Sequence, residues 1–287
     1  MACRLIHIAA CPDQTVAPYQ RRLLPVHLAA RLKPAPAVRI LLVSDLHYTL
    51  PQFDWVVRVA PNYDLVVVAG DSLDISSAVP LDVQSVVVLR YLELLRSAGH
   101  HVVVSSGNHD LTGPDAAGEQ SALWLSSARD AGVPTDSGSL RIGDTLVTIC
   151  PWWDGPLGRE ALETQLASDA AQRPGRWIWV YHWPPLGSPT CWTGRRDYGD
   201  ADLGGWIAHY QPDMVLTGHV HEPPFKPSGH WADRIGATWV FNAGRQIGPV
   251  PCHIVINFDA GSATWRSMMG DEDLNLADNQ APARSVF

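Results

Sequence analysis

No stretch of the 287 residues is apolar for long enough to cross a bilayer, and no two cysteines stand in a C-x-x-C pair. The cysteines, Cys3, Cys11, Cys150, Cys191 and Cys252, are odd in number. That argues against a disulfide framework and makes a reducing cytoplasm the expected location. Positive charge is also short, with 21 Lys and Arg against 29 Asp and Glu and a net charge of −8. Such a balance disfavours nucleic acid as a partner held by bulk electrostatics. It leaves room for an enzyme that binds phosphate through metal ions, since the ions bring their own positive charge. Ile8-Ala9-Ala10-Cys11 after Arg4 has the look of a lipoprotein cleavage box. The apolar stretch before it is too short and is broken by His7, so export is not expected.

What is present is a regular α/β text. At 46% the apolar share suffices for a sizeable core. Short apolar runs at Val38–Val43, Asp64–Ala69 and His101–Ser105 predict buried strands, with a helix over Leu81–Ala98 stopped by Gly99. Further strands are expected at Thr145–Cys150, Trp177–Tyr181, Met214–Thr217, Thr238–Phe241 and His253–Phe258. Helices are expected at Ala117–Ala131, Gly158–Ala171 and Asp202–Tyr210. Strand, helix, strand at these spacings is the βαβ pattern. No repeat and no linker divides the chain. The expected layout is an extension over 1–36 with a helix around Tyr19–Leu32, one domain over 37–269, and a flexible tail over 270–287.

Polar blocks follow the apolar strands. Ser44-Asp45-Leu46-His47 places a carboxylate and an imidazole two apart, on one side of an extended chain. Gly70-Asp71-Ser72-Leu73-Asp74 brings a second carboxylate to the carboxyl edge of the sheet, where α/β proteins build their sites. Two carboxylates that close repel unless a cation lies between them. Ser106-Gly107-Asn108-His109-Asp110 adds an amide oxygen and a titratable ring. His182 follows an apolar strand, and Gly218-His219-Val220-His221 repeats the two-apart spacing. The remaining histidines, His7, His27, His100, His101, His209, His230 and His253, sit in no such block and are expected to be structural.

The ordered set Asp45-x-His47, Gly70-Asp71-x-x-Asp74, Gly107-Asn108-His109-Asp110, His182 and Gly218-His219-x-His221 resembles the signature of the calcineurin-like metallophosphoesterases. The resemblance spans residues 38 to about 222. It implies a four-layer αββα sandwich of two mixed sheets. It further implies that Asp45, His47 and His221 bind one metal ion, that Asn108, His182 and His219 bind a second, and that Asp71 bridges both. Nitrogen and oxygen ligands without thiolate suit manganese, iron, zinc, nickel or cobalt. The implied reaction is hydrolysis of a phosphate ester, most simply a small-molecule diester, by a metal-bridging hydroxide. His109 would protonate the leaving oxygen or stabilise its charge, and Asp74 would support a neighbour.

Departures narrow the branch. Protein phosphatases of this family carry an arginine soon after the Asp71 block and Glu after Asn-His, whereas here the residue is Asp110. Purple acid phosphatases have a tyrosine ligand where Asp74 stands, and lipid A precursor hydrolases an arginine at the position of His109. Two alternatives stay open. One is a nuclease with Arg195, Arg196 or Arg245 on a phosphate channel and Trp183 or Trp192 stacking on a base. The other is a metal-binding scaffold for proteins, disfavoured because the full ligand set is present. Most of the twelve tryptophans, with Trp152-Trp153 beside a strand end, are expected in the core.

Overall fold

Leu65–Ala69, Leu-Val-Val-Val-Ala, is buried at every position. A run of β-branched residues with no polar face suits a strand covered on both sides and not a surface hairpin. The structure, a computed structural model, describes residues 38–173, 175–278 and 280–282. In chain order it forms β1 (Arg39–Val43), α1 (Leu50–Val59), β2 (Leu65–Ala69), α2 (Leu81–Ser97) and β3 (His101–Ser105). A small ribbon of β4 (Gly113–Pro114) and β5 (Gln120–Ser121) precedes α3 (Leu125–Asp130). Then come β6 (Gly138–Ile142), β7 (Thr145–Ile149), α4 (Pro156–Gln172), β8 (Arg176–Val180), α5 (Leu203–Tyr210) and β9 (Met214–Thr217). The chain closes with β10 (Ala232–Ile235), β11 (Thr238–Asn242), β12 (His253–Asn257), β13 (Ser262–Ser267) and β14 (Gly270–Asn275).

Two six-stranded mixed sheets result, ordered β14-β13-β12-β1-β2-β3 and β10-β11-β9-β8-β7-β6. Parallel pairing joins β1, β2 and β3 in the first sheet, and β7, β8, β9 and β11 in the second. Alternation along each strand builds the layers. Ile40, Leu42, Val67 and Val103 face Val147, Ile178, Val180 and Leu216 of the other sheet. The intervening Leu41, Val43, Val66, Val68 and Val104 pack on Phe53 and Val56 of α1, Val88 and Leu92 of α2 and Leu125 of α3. On the far side Trp177, Trp179 and Val215 pack on Leu162 and Leu166 of α4 and on Leu203 and Ile207 of α5. This is the expected αββα sandwich.

The structure corrects three expectations. Ala117–Ala131 is helical only over Leu125–Asp130. Asp115 Oδ1 accepts from the backbone of Ala117 and Glu119, holding a turn. Glu119 then caps the start of α4 by accepting from the backbone N–H groups of Leu157 and Gly158 at 2.9 and 2.7 Å. Second, residues from 270 do not begin a flexible tail, because Gly270–Asn275 is β14, laddered on β13 from Ser267↔Gly270 to Ser262↔Asn275. Third, α1 had no counterpart in the pattern reading, although Pro51 stands at its start, where a missing N–H costs nothing. The extension over 1–36, its helix around Tyr19–Leu32, and Cys3, Cys11, His7 and His27 lie outside the described residues. Among the described residues no helix is long and apolar enough to cross a membrane.

Candidate metal centre

The polar blocks stand at the carboxyl ends of β1, β2, β3, β8 and β9, and parallel pairing carries them to one place. Pairing continues beyond the strands: Asp45 N–H donates to Gly70 O (3.1 Å), His47 N–H to Asp71 O (2.9 Å) and Gly218 N–H to His182 O (2.9 Å). The backbone there is not extended. Asp45, His47, Tyr48, Asp71 and His219 all have φ between 41° and 68°, five of the eight non-glycine residues with positive φ among those described. Left-handed conformations of this kind are costly for residues with a Cβ and cluster where function demands them. The two-apart spacing of Asp45 and His47, and of His219 and His221, therefore works through tight turns and not through a strand pleat.

Glycines make room. A Cβ on Gly70, whose φ is 84°, would overlap the His182 ring. One on Gly107 would overlap Asp71 Oδ1, and one on Gly218 would lie 2.5 Å from Asp45 Oδ2. Only a residue without a Cβ lets these carboxylates and rings approach the backbone so closely.

Three groups have ligand atoms within 4.8 Å of one another: Asp45, His47 and His221; Asp71, His182 and His219; and His47 with Asp74 and His109. His221 Nε2 is 3.1 Å from His47 Nε2 and 3.4 Å from Asp45 Oδ1. Asp71 Oδ2 stands between the first two groups, 3.2 Å from His182 Nε2 and 3.7 Å from His47 Nε2. Asn108 opens the turn whose next N–H, that of His109, donates to Asp71 Oδ1 at 2.8 Å. Asn108 Oδ1, His182 Nε2 and His219 Nε2 are all buried without a hydrogen-bond partner among the described residues. For His182 this holds despite the nearby Asp71 oxygen, so the two atoms are close yet misaligned for a hydrogen bond. Buried polar atoms are rarely left unpaired, and nitrogen and oxygen groups left so together beside two buried carboxylates fit a cation. The chemistry of the donor set thus suits metal binding.

Electrostatics agree. Burial alone would raise both carboxyls, but the histidines around Asp45, and His182 beside Asp71, hold them below the usual range. Burial lowers His47 to about 4. Burial and the neighbouring His182 lower His219 to about 3. Both rings are accordingly uncharged at neutral pH, each with one nitrogen lone pair to offer. His182 goes the other way: Asp71 outweighs the burial and lifts it to about 9. Its Nδ1 is fixed on Ala69 O at 2.6 Å, the kind of contact that orients a ligand ring. The centre attracts positive charge.

Around this core Asp110, fully buried, accepts from Leu73 N (2.9 Å) and Gly107 N (2.8 Å), tying the turns after β2 and β3 together. His109 packs edge-on against the His47 ring, centroids 4.4 Å apart. Its Nδ1 accepts from Ile75 N–H at 3.3 Å and lies 3.5 Å from Asp74 Oδ1. Pattern reading gave little weight to Arg245 and Trp152. Arg245 follows β11, donates its N–H to His221 O (3.2 Å) and is close enough to work against protonation of His47 and His221. Trp152 follows β7 and packs on His219, centroids 5.0 Å apart. The signal available for both was the same as for the ligands: a position just past an apolar strand. His230 is bonded to Glu272 and His253 is packed on Trp55.

The sequence profile of the calcineurin-like phosphoesterases matches residues 38–223. The chain belongs to that family. Its chemical class is therefore phosphoric ester hydrolysis. No curated protein matches the sequence significantly. Among solved structures, the protein TT1561 of Thermus thermophilus superposes with a TM-score of 0.54 at 15% identity, covering 84% of this chain and 99% of that one. That likeness concerns the fold. A purple acid phosphatase from yellow lupin seeds (TM-score 0.47, 14% identity, 86% and 53% covered) aligns more loosely. So does the phosphoesterase Yfce of E. coli (0.38, 14%, 87% and 99%).

Proposed function

We propose that this phosphoesterase hydrolyses small phosphate diesters at a dinuclear metal centre. In this reading Asp45, His47 and His221 hold one ion, Asn108, His182 and His219 the other, and Asp71 both. The observation that carries it is the convergence of Asp71, His182 and His219 beside Asp45, His47 and His221, with His182 Nε2 and His219 Nε2 buried and unpartnered. Manganese, iron, zinc, nickel and cobalt all suit such donors. When bound, two such ions supply positive charge to the phosphoryl oxygens and acidify a water.

The protein contributes geometry and a hydrogen-bond donor. Asp45 accepts the His219 N–H through both oxygens, at 3.0 and 3.1 Å, so one carboxylate sets the turn that presents His219. Asp71 Oδ1 takes the His109 N–H, leaving Oδ2 toward the histidines. Because Ile75 N–H occupies His109 Nδ1 as an acceptor, the ring carries its proton on Nε2. From there it can hydrogen-bond to the departing alkoxide and stabilise its charge.

The test is turnover of bis-p-nitrophenyl phosphate against p-nitrophenyl phosphate with added manganese. Diester turnover well above monoester turnover supports the reading. Metal bound at two per chain with no turnover of either ester would replace it with a scaffold role.

A further inference from the structure

Three rings surround that of His219. Tyr198 stacks on it at 5.0 Å between centroids, Trp152 tilts against it at 5.0 Å, and Trp183 meets it at 5.6 Å nearly edge-on. Trp152 and Trp183 are themselves stacked at 4.9 Å. Unlike Trp177, Trp179 and Trp231, which are sealed in the core, Trp152 and Trp183 are half-buried and Tyr198 is 43% exposed. The Trp183 Nε1–H is buried and has no acceptor among the described residues. The guanidinium of Arg196 lies 5.4 Å over the Tyr198 ring. An aromatic wall open to solvent therefore adjoins the candidate metal centre, with a cation on it.

The segment that carries Tyr198 is held in place before any ligand arrives. Its ends are clamped by Asp200 N–H to Pro184 O and Leu186 N–H to Asp200 O, both 2.8 Å, and Tyr198 N–H donates to Cys191 O at 2.9 Å. Beneath it the Tyr181 hydroxyl donates to Asp200 Oδ2 and accepts from Trp153 Nε1 at 2.9 Å. A prearranged wall loses little side-chain freedom when a flat group docks on it.

We propose that this wall takes a planar aromatic group esterified to the phosphate at the metal centre, so that the substrates are aryl or nucleoside phosphates and not aliphatic ones. The inference rests on the phosphoesterase reading. Rings stack on Trp and Tyr faces at a favourable offset, and a guanidinium adds attraction to an electron-rich ring.

The experiment uses the full chain loaded with manganese and compares phenylphosphonate with methylphosphonate by tryptophan fluorescence titration. Phenylphosphonate is expected to quench and to bind about tenfold tighter, the scale of one stacked ring. In Tyr198→Ala and Trp183→Leu that preference falls toward one. Should Trp183→Leu fail to fold, by circular dichroism, exposed Tyr198 carries the test. Equal loss for both phosphonates means the rings only brace His219 and overturns the inference. Equal affinity in the wild type, with ester turnover intact, overturns it too while the hydrolase reading stands. Binding of neither, without turnover, removes both. With the preference present, adenosine monophosphate and phenyl phosphate as competitors separate a nucleoside from a simple aryl group.

Discussion

The bodies of the parallel strands and their carboxyl ends, only two or three residues apart, obey different rules. Leu41, Val67, Val103, Ile178 and Leu216 are wholly buried, apolar and in extended backbone. Just beyond them Asp45, Asp71 and His219 are polar, hold left-handed backbone conformations, and leave donor atoms unpaired or crowded against like charge. Every local preference agrees in the bodies, and several are violated together at the ends. Violations concentrated in one place mark a site whose cost is met by the surrounding core. The sandwich supplies stability, and its rim spends part of it.

The contrast can be broken from either side. Asp71→Ala should have the largest effect, because it removes the carboxylate between both ligand groups. Metal content measured by mass spectrometry should collapse. Turnover should fall beyond the roughly 10–100-fold typical of losing a mere supporting partner. Retained metal at two per chain would contradict the bridging role. His109→Ala comes next, with turnover down about 10²–10⁴-fold and metal content unchanged. A parallel loss of metal would make it a ligand and not a hydrogen-bond donor.

On the strand bodies Ile178→Ala should cost about 2–5 kcal/mol in urea unfolding, as for other emptied core positions. The folded variant should retain wild-type metal stoichiometry, which separates core from rim. The smallest effect concerns Asp136, whose Oδ1 accepts from Ser106 N–H at 2.8 Å below the rim. Burial raises its carboxyl from 3.8 to about 6. The folded state therefore binds this proton more tightly than the unfolded chain. Its contribution to stability is full below pH about 3.8, fades as pH rises through about 6, and is absent at neutral pH. Unfolding midpoints of Asp136→Asn minus wild type should accordingly grow between pH 4 and pH 7; a flat difference would rule the titration out.

Much of this was legible in residue order, for a definite reason. Buried parallel strands need continuous β-branched runs, so β2 and β3 announce themselves within a residue of their ends. Polar blocks follow those runs, so the residues that the fold gathers could be read off strand ends. Other elements carry no such mark. β14, Gly-Asp-Glu-Asp-Leu-Asn, buries almost nothing, and its conformation comes from the ladder to β13 with help such as Thr264 Oγ1 donating to Asp273 Oδ1 at 2.6 Å. Ala117–Ala131 was read as a helix because the turn at Asp115 and the capping of α4 by Glu119 depend on partners distant in the chain.

By itself, residue order determined which atoms are available for chemistry, two carboxylates, an amide and five rings in five blocks, and which apolar runs must be buried to bring them together. Only the tertiary structure decided how they meet: left-handed turns instead of strand pleats, glycines clearing space at Gly70 and Gly107, and a ring wall drawn from β7, β8 and the segment before α5. Apolar periodicity is written along the chain, whereas a turn's handedness and a ring's neighbour are set by atoms that only folding brings near.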